Sequence, residues 1–416
     1  MIGIILSYIA WYMFIFIAVA WMLILLENEG RLSRKMRLKY YPMVSVIIPA
    51  FNEEETISKT VESVLSVNYP RGSLEVIVVD DGSTDGTGKI ASLYHEKGLI
   101  KLISSQKNMG KATALNKGIE LARGEFIACM DADSAVEKDI IIKLLPYFED
   151  KRIASVSPAL KVWRKTNFLE KIQYSEYLLN IFLRKMLALI DSVFVTPGVF
   201  SVYRKEALVA VGGFDEGNIT EDMEIAFRLQ DKGYRLEADL DALSYTLCPR
   251  GLMELLGQRL RWYRGGIKNM IKYRHMFFGR DYGYLGNLVL PVNFASAFLV
   301  CLIFTSLLIE NISNLANFAW NLYLVNFDFS TLISRFDLWK EIEAAFSVVL
   351  TTPLILGLMA ITISSGLLYI SFQATKDSVR KNKAGYFGYM LILPTLLMAV
   401  WAAAFASEIL GMKRKW

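Results

Sequence analysis

Histidine and cysteine are scarce in this chain, which holds two histidines and three cysteines among 416 residues. The cysteines, Cys129, Cys248 and Cys301, lie far apart and form neither a disulfide framework nor a zinc-binding pattern. Because so few nitrogen and sulfur ligands are available, any bound metal must be held by oxygen atoms, which selects a hard cation.

Several familiar sequence signatures are missing as well. No stretch matches the G-x-x-x-x-G-K-[ST] phosphate loop, which argues against an ATPase or a GTPase. No internal repeat and no low-complexity tract occurs. The net charge of +5 comes mostly from basic residues that flank apolar segments, so it does not indicate nucleic-acid binding.

Long apolar runs are abundant, with 54% hydrophobic residues and a mean hydropathy of +0.34. Residues 1–26 contain no charged side chain, and three further runs lie at about 285–309, 345–372 and 386–409. Each run is long enough to cross about 30 Å of hydrocarbon as a helix. The first run lacks a basic start and a small-residue cleavage site, which favours a retained anchor over a signal peptide. The sequence therefore predicts about four membrane spans.

Basic residues predict the orientation of these spans, because lysine and arginine are enriched in cytoplasmic loops. Five of them directly follow the first span: Arg31, Arg34, Lys35, Arg37 and Lys39. The polar insert at 44–284 and the basic loop at 376–383 are then expected in the cytoplasm. Four spans place the basic tail at 413–415 outside, against the rule. A weak extra crossing near 315–333 would correct the tail but move the basic loop outside, so we retain four spans.

The polar insert alternates strand and helix patterns. Strand signals lie at 44–48, 74–79, 100–104 and 125–130, and helical patterns at 54–67 and 110–122. This alternation predicts a parallel sheet with helices on both faces, whose ligands bind at the carboxyl ends of the strands. Those ends carry acidic and amide side chains: Asn52, Glu53, Asp80, Asp81, Asp131 and Asp133.

Each acidic pair taken alone has an ordinary explanation, because Asp-Gly turns and D-x-D loops are common. Their convergence at one sheet edge changes that interpretation, since gathered carboxylates repel unless a cation joins them. Two aspartates one residue apart suit Mg²⁺ or Mn²⁺ that also binds substrate phosphates. Lys111, at the predicted start of a helix, adds a cation beside a natural phosphate site. Together these features predict a nucleotide-diphosphate site.

Six motifs in order carry a resemblance to a known family. They are PAFNEE (49–54), VVDDGSTD (78–85), NMGKATALNKGI (108–119), DAD (131–133), TED (220–222) and QRLRW (258–262). Together they resemble the family 2 inverting glycosyltransferases of the membrane polysaccharide synthase type. The likeness is greatest to poly-N-acetylglucosamine synthases, with hyaluronan, chitin and cellulose synthases further off.

The resemblance implies an α/β nucleotide-sugar-binding fold of GT-A type, with interface helices and a transmembrane region. It divides the chain into an N-terminal transmembrane helix (1–26), a basic cytoplasmic linker (27–43), the glycosyltransferase domain (44–250), a QxxRW interface helix with a gating segment (251–284) and C-terminal transmembrane helices (285–416). It implies a multi-pass protein of the plasma membrane with its catalytic domain in the cytoplasm.

The resemblance also implies donor-site roles. Ala50, Glu53 and Asp81 would hold the uracil and ribose of a UDP-sugar, with Lys111 near the nucleotide. Asp131 would face the donor. The expected donor is UDP-N-acetylglucosamine. Asp133 would bind Mg²⁺ or Mn²⁺ on the diphosphate.

On the acceptor side the resemblance makes Asp222 the general base. A carboxylate is a suitable base for a weak hydroxyl nucleophile, although Thr220 and the acids after it could simply start a helix. Glu221, Gln258, Arg261 and Trp262 would contact the acceptor or the departing UDP. On a helix the last three share one face, which offers an indole for sugar stacking and a guanidinium for the diphosphate. A lipid-binding collar is the alternative, mainly for Lys268, Lys272 and Arg274.

Two candidate enzyme functions remain open from the sequence. One is a processive synthase that extends a β-linked polymer and exports it, with a homo-oligomer or an export partner to complete the conduit. The other transfers a single sugar to a polyprenyl phosphate or glycolipid. A catalytically dead scaffold or transporter subunit is disfavoured by the intact Asp81, Asp133, Asp222 and Arg261.

Overall fold

The polar part of the chain folds around one mixed sheet of eight strands. The computed structural model describes residues 2–32, 36–328, 339 and 352–412. The strands are β1 (Val44–Ala50), β2 (Leu74–Asp80), β3 (Lys101–Ser104), β4 (Phe126–Met130), β5 (Ser134–Val136), β6 (Ile153–Val162), β7 (Val199–Arg204) and β8 (Arg235–Thr246). Their order in the sheet is β3-β2-β1-β4-β7-β6-β8-β5.

The helices divide between this sheet and a separate apolar set. Those of the sheet region are α2 (Ile57–Leu65), α3 (Thr87–Glu96), α4 (Lys111–Leu121), α5 (Ile140–Leu144), α6 (Phe168–Leu189), α7 (Lys205–Ala210), α8 (Glu221–Asp231) and α9 (Leu252–Lys272). The apolar set comprises α1 (Ile2–Glu27), α10 (Leu290–Leu324), α11 (Thr352–Ala374), α12 (Lys383–Leu391) and α13 (Leu393–Ile409).

The first four strands confirm the parallel arrangement that the sequence predicts. β1 pairs in parallel with both β2 and β4, and β2 pairs in parallel with β3. Every residue of β1 and β4 is buried, as expected for strands covered by helices on both faces. Apolar side chains on the two faces form separate cores, one including Ile47 and Ile127 and the other including Val46 and Ala128.

The second half of the sheet is not parallel throughout, which corrects the sequence prediction. β7 lies between β4 and β6 and runs antiparallel to both, and β5 runs antiparallel to β8. An antiparallel neighbour needs no helical crossover, so local strand and helix patterns do not reveal it. The result is a mixed sheet whose middle strand, β7, follows directly on the loop that faces the end of β4.

Three helices are long and apolar enough to cross a membrane: Tyr8–Glu27, Leu285–Leu324 and Ile355–Ala374. The second continues to Leu324, beyond the predicted end at 309, because no proline or glycine interrupts 310–324. The extra crossing considered near 315–333 therefore begins inside the same helix. The first part of the predicted span at 345–372 lies outside the described residues. Arg34, Lys35 and the basic tail at 413–415 lie outside them as well.

The predicted last span, 386–409, is a bent pair of helices. α12 and α13 meet at an angle of 44°, and the segment counts as one further candidate span only if the pair is taken together. Pro394 lies in the first turn of α13, where its missing N–H costs nothing to that helix but stops α12 from continuing. The described residues thus hold three candidate spans, or four with the bent pair.

Close contacts join the apolar helices to the sheet region. A Cβ on Gly385 of α12 would overlap the backbone carbonyl of Lys171 in α6, so glycine permits this approach. On α9, the Tyr263 ring stacks on Trp401 of α13 with centroids 4.1 Å apart. Arg264 Nε lies 2.6 Å from Glu408 Oε1. The two parts of the molecule therefore pack as one body along α6 and α9.

Candidate active site

The carboxyl ends of β1 and β2 hold the first candidate group. Ala50 ends β1 and is 2% exposed, and the Asp81 N–H donates to its carbonyl at 2.9 Å. Asp81 Oδ2 accepts hydrogen bonds from the Met109 and Gly110 amides at 2.9 and 2.7 Å. Its other oxygen, Oδ1, is buried and accepts none from the described residues. A buried acceptor without a donor costs free energy, so this atom suits an N–H or O–H of a ligand.

Glu53 lies beside this group, just after a tight bend. Asn52 takes a left-handed backbone conformation with a φ of 56°, which asparagine tolerates better than most residues. The Glu53 amide then donates to Thr87 Oγ1 at 2.7 Å, and its Oε2 accepts from the Thr56 hydroxyl at 2.6 Å. Burial raises the pKa of Glu53, and the Asp131 carboxylate adds to the rise although the Thr56 hydrogen bond opposes it.

Lys111 joins the sheet edge to the start of α8. Its Nζ lies 2.6 Å from Asp131 Oδ1 and 2.9 Å from Glu221 Oε1. Burial would lower the pKa of Lys111, but the Asp131, Glu221 and Asp222 carboxylates together raise it well above its ordinary value. The Lys111 cation is therefore held firmly, and it links two acidic groups that are 90 residues apart in sequence.

Asp133 lies close to the other carboxylates at this edge of the sheet, and its pKa is raised. Burial raises its pKa to about 6, with further contributions from Asp131 and Glu53, while Ser134 Oγ donates to its Oδ1 at 3.1 Å. Among the residues that the structure describes, no group of three or more His, Cys, Asp or Glu side chains is arranged to hold a metal ion. Crowded carboxylates without a closed cage fit a cation whose remaining ligands come from phosphate oxygens and water.

Asp222 occupies the first turn of α8. Burial raises its pKa to about 6, Glu221 adds to the rise, and Lys111 and Arg261 oppose it. Its backbone carbonyl accepts hydrogen bonds from the Thr196 amide and hydroxyl at 3.3 and 2.8 Å. A carboxylate with a pKa near 6 is ionised at neutral pH yet basic enough to accept a proton.

Thr220 does not cap α8 through its side chain, contrary to the simplest sequence interpretation. No cap hydrogen bond forms. Its hydroxyl donates instead to Asn218 Oδ1 at 3.2 Å and accepts from Asn269 Nδ2 of α9 at 3.1 Å. Asn218 Nδ2 also donates to Asn269 Oδ1 at 2.7 Å. This buried network ties α9 to the turn before Asp222, and a satisfied network of this kind fixes geometry.

The same contact requires a glycine on α9. A Cβ on Gly265 would overlap the Thr220 side chain, and the clash includes the Thr220 Cβ at 2.9 Å. The two helices can approach this closely only because Gly265 has no side chain.

Gly265→Ala is therefore expected to push α9 away from α8 and to lower the catalytic activity that the sequence predicts by more than it lowers stability. The physical reason is that Arg261, one turn earlier, donates through Nη1 to the Ile219 carbonyl at 3.1 Å and would move with the helix. Activity and thermal unfolding of the purified protein measure the two effects. Gly257→Ala is the matched control, because nothing lies within 4 Å of a Cβ there. Equal activity of both variants would contradict this role of the contact.

The predicted face of α9 is supported from behind by a residue that sequence reasoning missed. Arg259, 1% exposed, lies with its guanidinium 4.1 Å from the centre of the Trp262 ring. Its Nη2 donates to Glu176 Oε2 of α6 at 2.7 Å. The Gln258 Oε1 atom, on the predicted face, is buried without a partner in the described structure. The ion pair between Arg259 and Glu176 therefore holds the Trp262 indole in place.

The loop before β7, which comprises residues 196–198, is a second feature of the candidate site. The Gly198 carbonyl accepts from the Asp131 amide at 3.1 Å. A Cβ on Gly198 would lie 2.6 Å from Lys111 Nζ and 2.9 Å from Asp131 Oδ1. The Thr-Pro-Gly sequence at 196–198 is thus a close neighbour of both the Lys111 pair and Asp222.

Comparisons with known proteins agree in relating this chain to glycosyltransferases. Residues 45–212 match the family described as Glycosyl transferase family 2. The poly-β-1,6-N-acetyl-D-glucosamine synthases of Staphylococcus aureus (strain COL) and Staphylococcus epidermidis are each 32% identical over 231 residues, which is 55% of this chain and 56% of each relative. The chain thus spans about half the length of the curated relatives it matches.

A solved structure extends the likeness of fold beyond the sheet region. A mannosyltransferase from Pyrobaculum calidifontis, determined in complex with GDP-Man and Mn²⁺, superimposes over 99% of both chains with a TM-score of 0.60 at 19% identity. The fold is accordingly a GT-A-like mixed sheet accompanied by apolar helices. Residues 45–212 therefore match a family 2 glycosyltransferase domain, and the chain, which also holds helices long and apolar enough to cross a membrane, resembles the poly-N-acetylglucosamine synthases.

Proposed function

We propose that the protein is an inverting membrane glycosyltransferase that transfers sugar from UDP-N-acetylglucosamine to a growing β-linked polysaccharide. The observation that carries this proposal is the continuous series of contacts from Asp131 through Lys111 and Glu221 to Asp222. Because these contacts join the proposed donor site to the proposed base, they support a transfer reaction between the two. The similarity to the staphylococcal synthases supports the choice of donor and product.

The donor would bind along the carboxyl edge of β1, β2 and β4. The unpartnered Asp81 Oδ1 suits the uracil N–H, and Ala50 and Glu53 would hold the rest of the nucleoside. Asp133 would hold Mg²⁺ or Mn²⁺, which would neutralise charge on the leaving diphosphate. Asp131, fixed by Lys111, would face the donor sugar.

Transfer would proceed as a single displacement. Asp222 accepts the proton of an acceptor hydroxyl, and that oxygen forms a bond to the anomeric carbon of the donor sugar. The bond from that carbon to the UDP oxygen breaks, and UDP leaves with the electron pair. Because the hydroxyl attacks opposite the leaving group, the anomeric configuration inverts. The Arg261 guanidinium, beside Asp222, would stabilise the departing diphosphate.

The acceptor chain would lie against α9 and pass outward between the apolar helices. Gln258 and Trp262 would contact its end, with the indole as a stacking platform fixed by Arg259. We place the sheet region in the cytoplasm and the apolar helices across the plasma membrane as a multi-pass unit. The described residues hold three or four candidate spans, which are few for a conduit, so a second copy or an export partner would complete it.

The small number of candidate spans among the described residues also favours a second candidate function. A single-transfer enzyme that places one sugar on a polyprenyl phosphate or glycolipid needs no conduit, and it would use the same site residues. The two functions differ in product length, which makes them separable by experiment.

Trp262→Ala is expected to shorten the products of a processive enzyme. An aromatic platform contributes about 1 kcal/mol beyond simple burial, so its loss should speed release of the chain end more than it weakens donor binding. The measurement is product length by gel or mass spectrometry, in proteoliposomes given UDP-N-acetylglucosamine alone. Wild type should give a long ladder and Trp262→Ala short products.

Trp320→Ala is the matched control, because it removes an exposed indole at the far end of α10. Its ladder should match that of wild type. A single sugar on a lipid carrier from the wild-type protein would discard the polymer synthase in favour of the single-transfer enzyme.

A further inference from the structure

The loop at residues 196–198 contacts both halves of the candidate site. The Thr196 amide and hydroxyl both donate to the Asp222 carbonyl, at 3.3 and 2.8 Å. Two residues later, the Gly198 carbonyl accepts from the Asp131 amide at 3.1 Å. One end of this short loop therefore holds the backbone of the proposed base, and the other end holds the backbone of the residue proposed to face the donor sugar.

The Thr196 hydroxyl is completely buried and is used both as a donor and as an acceptor. It donates to the Asp222 carbonyl and accepts from the Tyr203 hydroxyl at 2.9 Å. A threonine hydroxyl can rotate to suit its partners. Because Tyr203 occupies one acceptor position, it fixes the direction in which the Thr196 hydrogen points. The three groups form a chain of hydrogen bonds that ends at Asp222.

Tyr203 anchors this chain of hydrogen bonds to the sheet. It lies in β7, where it pairs with Ile127 of β4, and its ring meets the Phe214 ring edge-on with centroids 5.8 Å apart. The neighbouring strand β4 leads directly into Asp131 and Asp133. The backbone of the proposed base is thus held from the same pair of strands that carries the proposed donor-side carboxylates.

The contacts of the Asp222 side chain leave one carboxylate oxygen available. Its Oδ1 accepts from the Met223 amide at 2.8 Å, whereas no hydrogen bond reaches Oδ2 from the parts of the chain that the structure describes. Oδ2 is therefore the atom left to take the proton of an acceptor hydroxyl. Because an aspartate side chain is short, any shift of the Asp222 backbone moves Oδ2 by a similar distance.

We propose that Thr196 is a positioning residue whose hydroxyl, directed by Tyr203, sets the place of the Asp222 carboxylate relative to the donor sugar. Thr196 would act only through Asp222 and would not touch the substrate. A displacement of about 1 Å in a reacting group can cost on the order of 10²-fold in rate, so a hydrogen bond to the backbone of the base can control turnover. This inference rests on the proposed function, because it takes Asp222 as the base.

Thr196→Val keeps the branched shape of the side chain and removes its hydroxyl, whereas Thr196→Ser keeps the hydroxyl. The kcat of Thr196→Val should fall about tenfold or more, and Thr196→Ser should restore most of it. UDP affinity, measured by calorimetry, should stay within about twofold in both, since an interaction that acts only on the base leaves donor binding unchanged.

Thr375→Val is the matched control for this substitution. Thr375 is 2% exposed, and its hydroxyl donates to the Ser371 carbonyl at 2.7 Å, just beyond the end of α11. The control therefore also removes a buried threonine hydroxyl that bonds to a backbone carbonyl, and its kcat should match that of wild type. A wild-type kcat in Thr196→Val would overturn the proposal.

A paired substitution separates positioning from stability. Thr196→Val leaves the Tyr203 hydroxyl buried without an acceptor, which lowers stability, whereas Thr196→Val/Tyr203→Phe removes both polar groups. The paired variant should recover most of the lost melting temperature, yet its kcat should remain low because nothing directs the Asp222 backbone. Recovery of kcat together with the melting temperature would show a purely structural role and overturn the proposal.

The Asp222→Asn background provides the decisive comparison. With the base removed, Thr196→Val should lower the residual rate, measured with a radiolabelled donor, by less than about twofold, because residues that act as a unit are not additive. Equal losses in the two backgrounds would overturn the role of Thr196 and leave the proposed function intact. A wild-type rate in Asp222→Asn would instead overturn the proposed base, and this positioning role with it.

Discussion

Asp222→Asn is expected to lower the transfer rate by at least about 10²-fold, the low end of what general-base catalysis contributes. Asparagine keeps the shape of the side chain but cannot accept the proton of the acceptor hydroxyl. UDP should still bind, because the proposed donor contacts lie on the β1, β2 and β4 edge. The measurements are the initial rate with a saturating UDP-sugar and the UDP affinity of the same preparation.

The pH dependence gives a second check on the same residue. The pKa of Asp222 is raised to about 6, so the base form dominates above that value and is lost as pH falls through it. Wild-type kcat should therefore decline on the acid side of about pH 6. Asp231→Asn, at the other end of α8, is the control and should keep the wild-type profile. If Asp222→Asn failed to bind UDP, Asp222 would belong to the donor site instead.

Asp133→Asn should abolish detectable transfer while the fold is retained. The donor diphosphate would lose the carboxylate that holds its cation, and with it the neutralisation of the leaving group. EDTA should have the same effect on the wild type, with recovery on addition of Mn²⁺ or Mg²⁺. Full turnover in EDTA would show that no metal is needed.

Thermal unfolding reports the metal without relying on activity. A ligand that binds only the folded state raises the melting temperature. UDP with Mn²⁺ should therefore stabilise the wild type more than UDP with EDTA, and this difference should vanish in Asp133→Asn. Asp139→Asn, at the start of α5, removes an aspartate nearby in sequence and should respond as wild type. A full Mn²⁺ effect in Asp133→Asn would move the metal to other ligands.

Local sequence patterns were sufficient to predict the strands at the parallel end of the sheet. β1, β2 and β4 are mainly apolar runs, and each ends where polar residues begin, so their positions and common direction follow from the sequence. The insertion of β7 between β4 and β6 could not be read in this way. It depends on pairing between residues about 75 apart, which leaves no periodic signal in either strand.

The candidate site was likewise predicted only in part from the sequence. The acidic edge was predicted because each carboxylate follows its own strand, and the face of α9 was predicted because its residues recur at helical spacing. The Asn218–Thr220–Asn269 network and the Arg259–Glu176 pair join elements far apart in the chain. Such contacts follow from tertiary packing, which a single sequence does not display.

The double attachment of α9 has a consequence for how this protein can change over evolutionary time. One side of the helix meets Thr220 through Gly265, and the adjacent residues Tyr263 and Arg264 meet Trp401 and Glu408 of α13. A recombination event that replaced only the C-terminal helices would leave α9 facing mismatched neighbours and would disturb the turn before Asp222. Exchange between relatives should therefore preserve α9 and α13 as one inherited block, even though more than 100 residues separate them in the gene product.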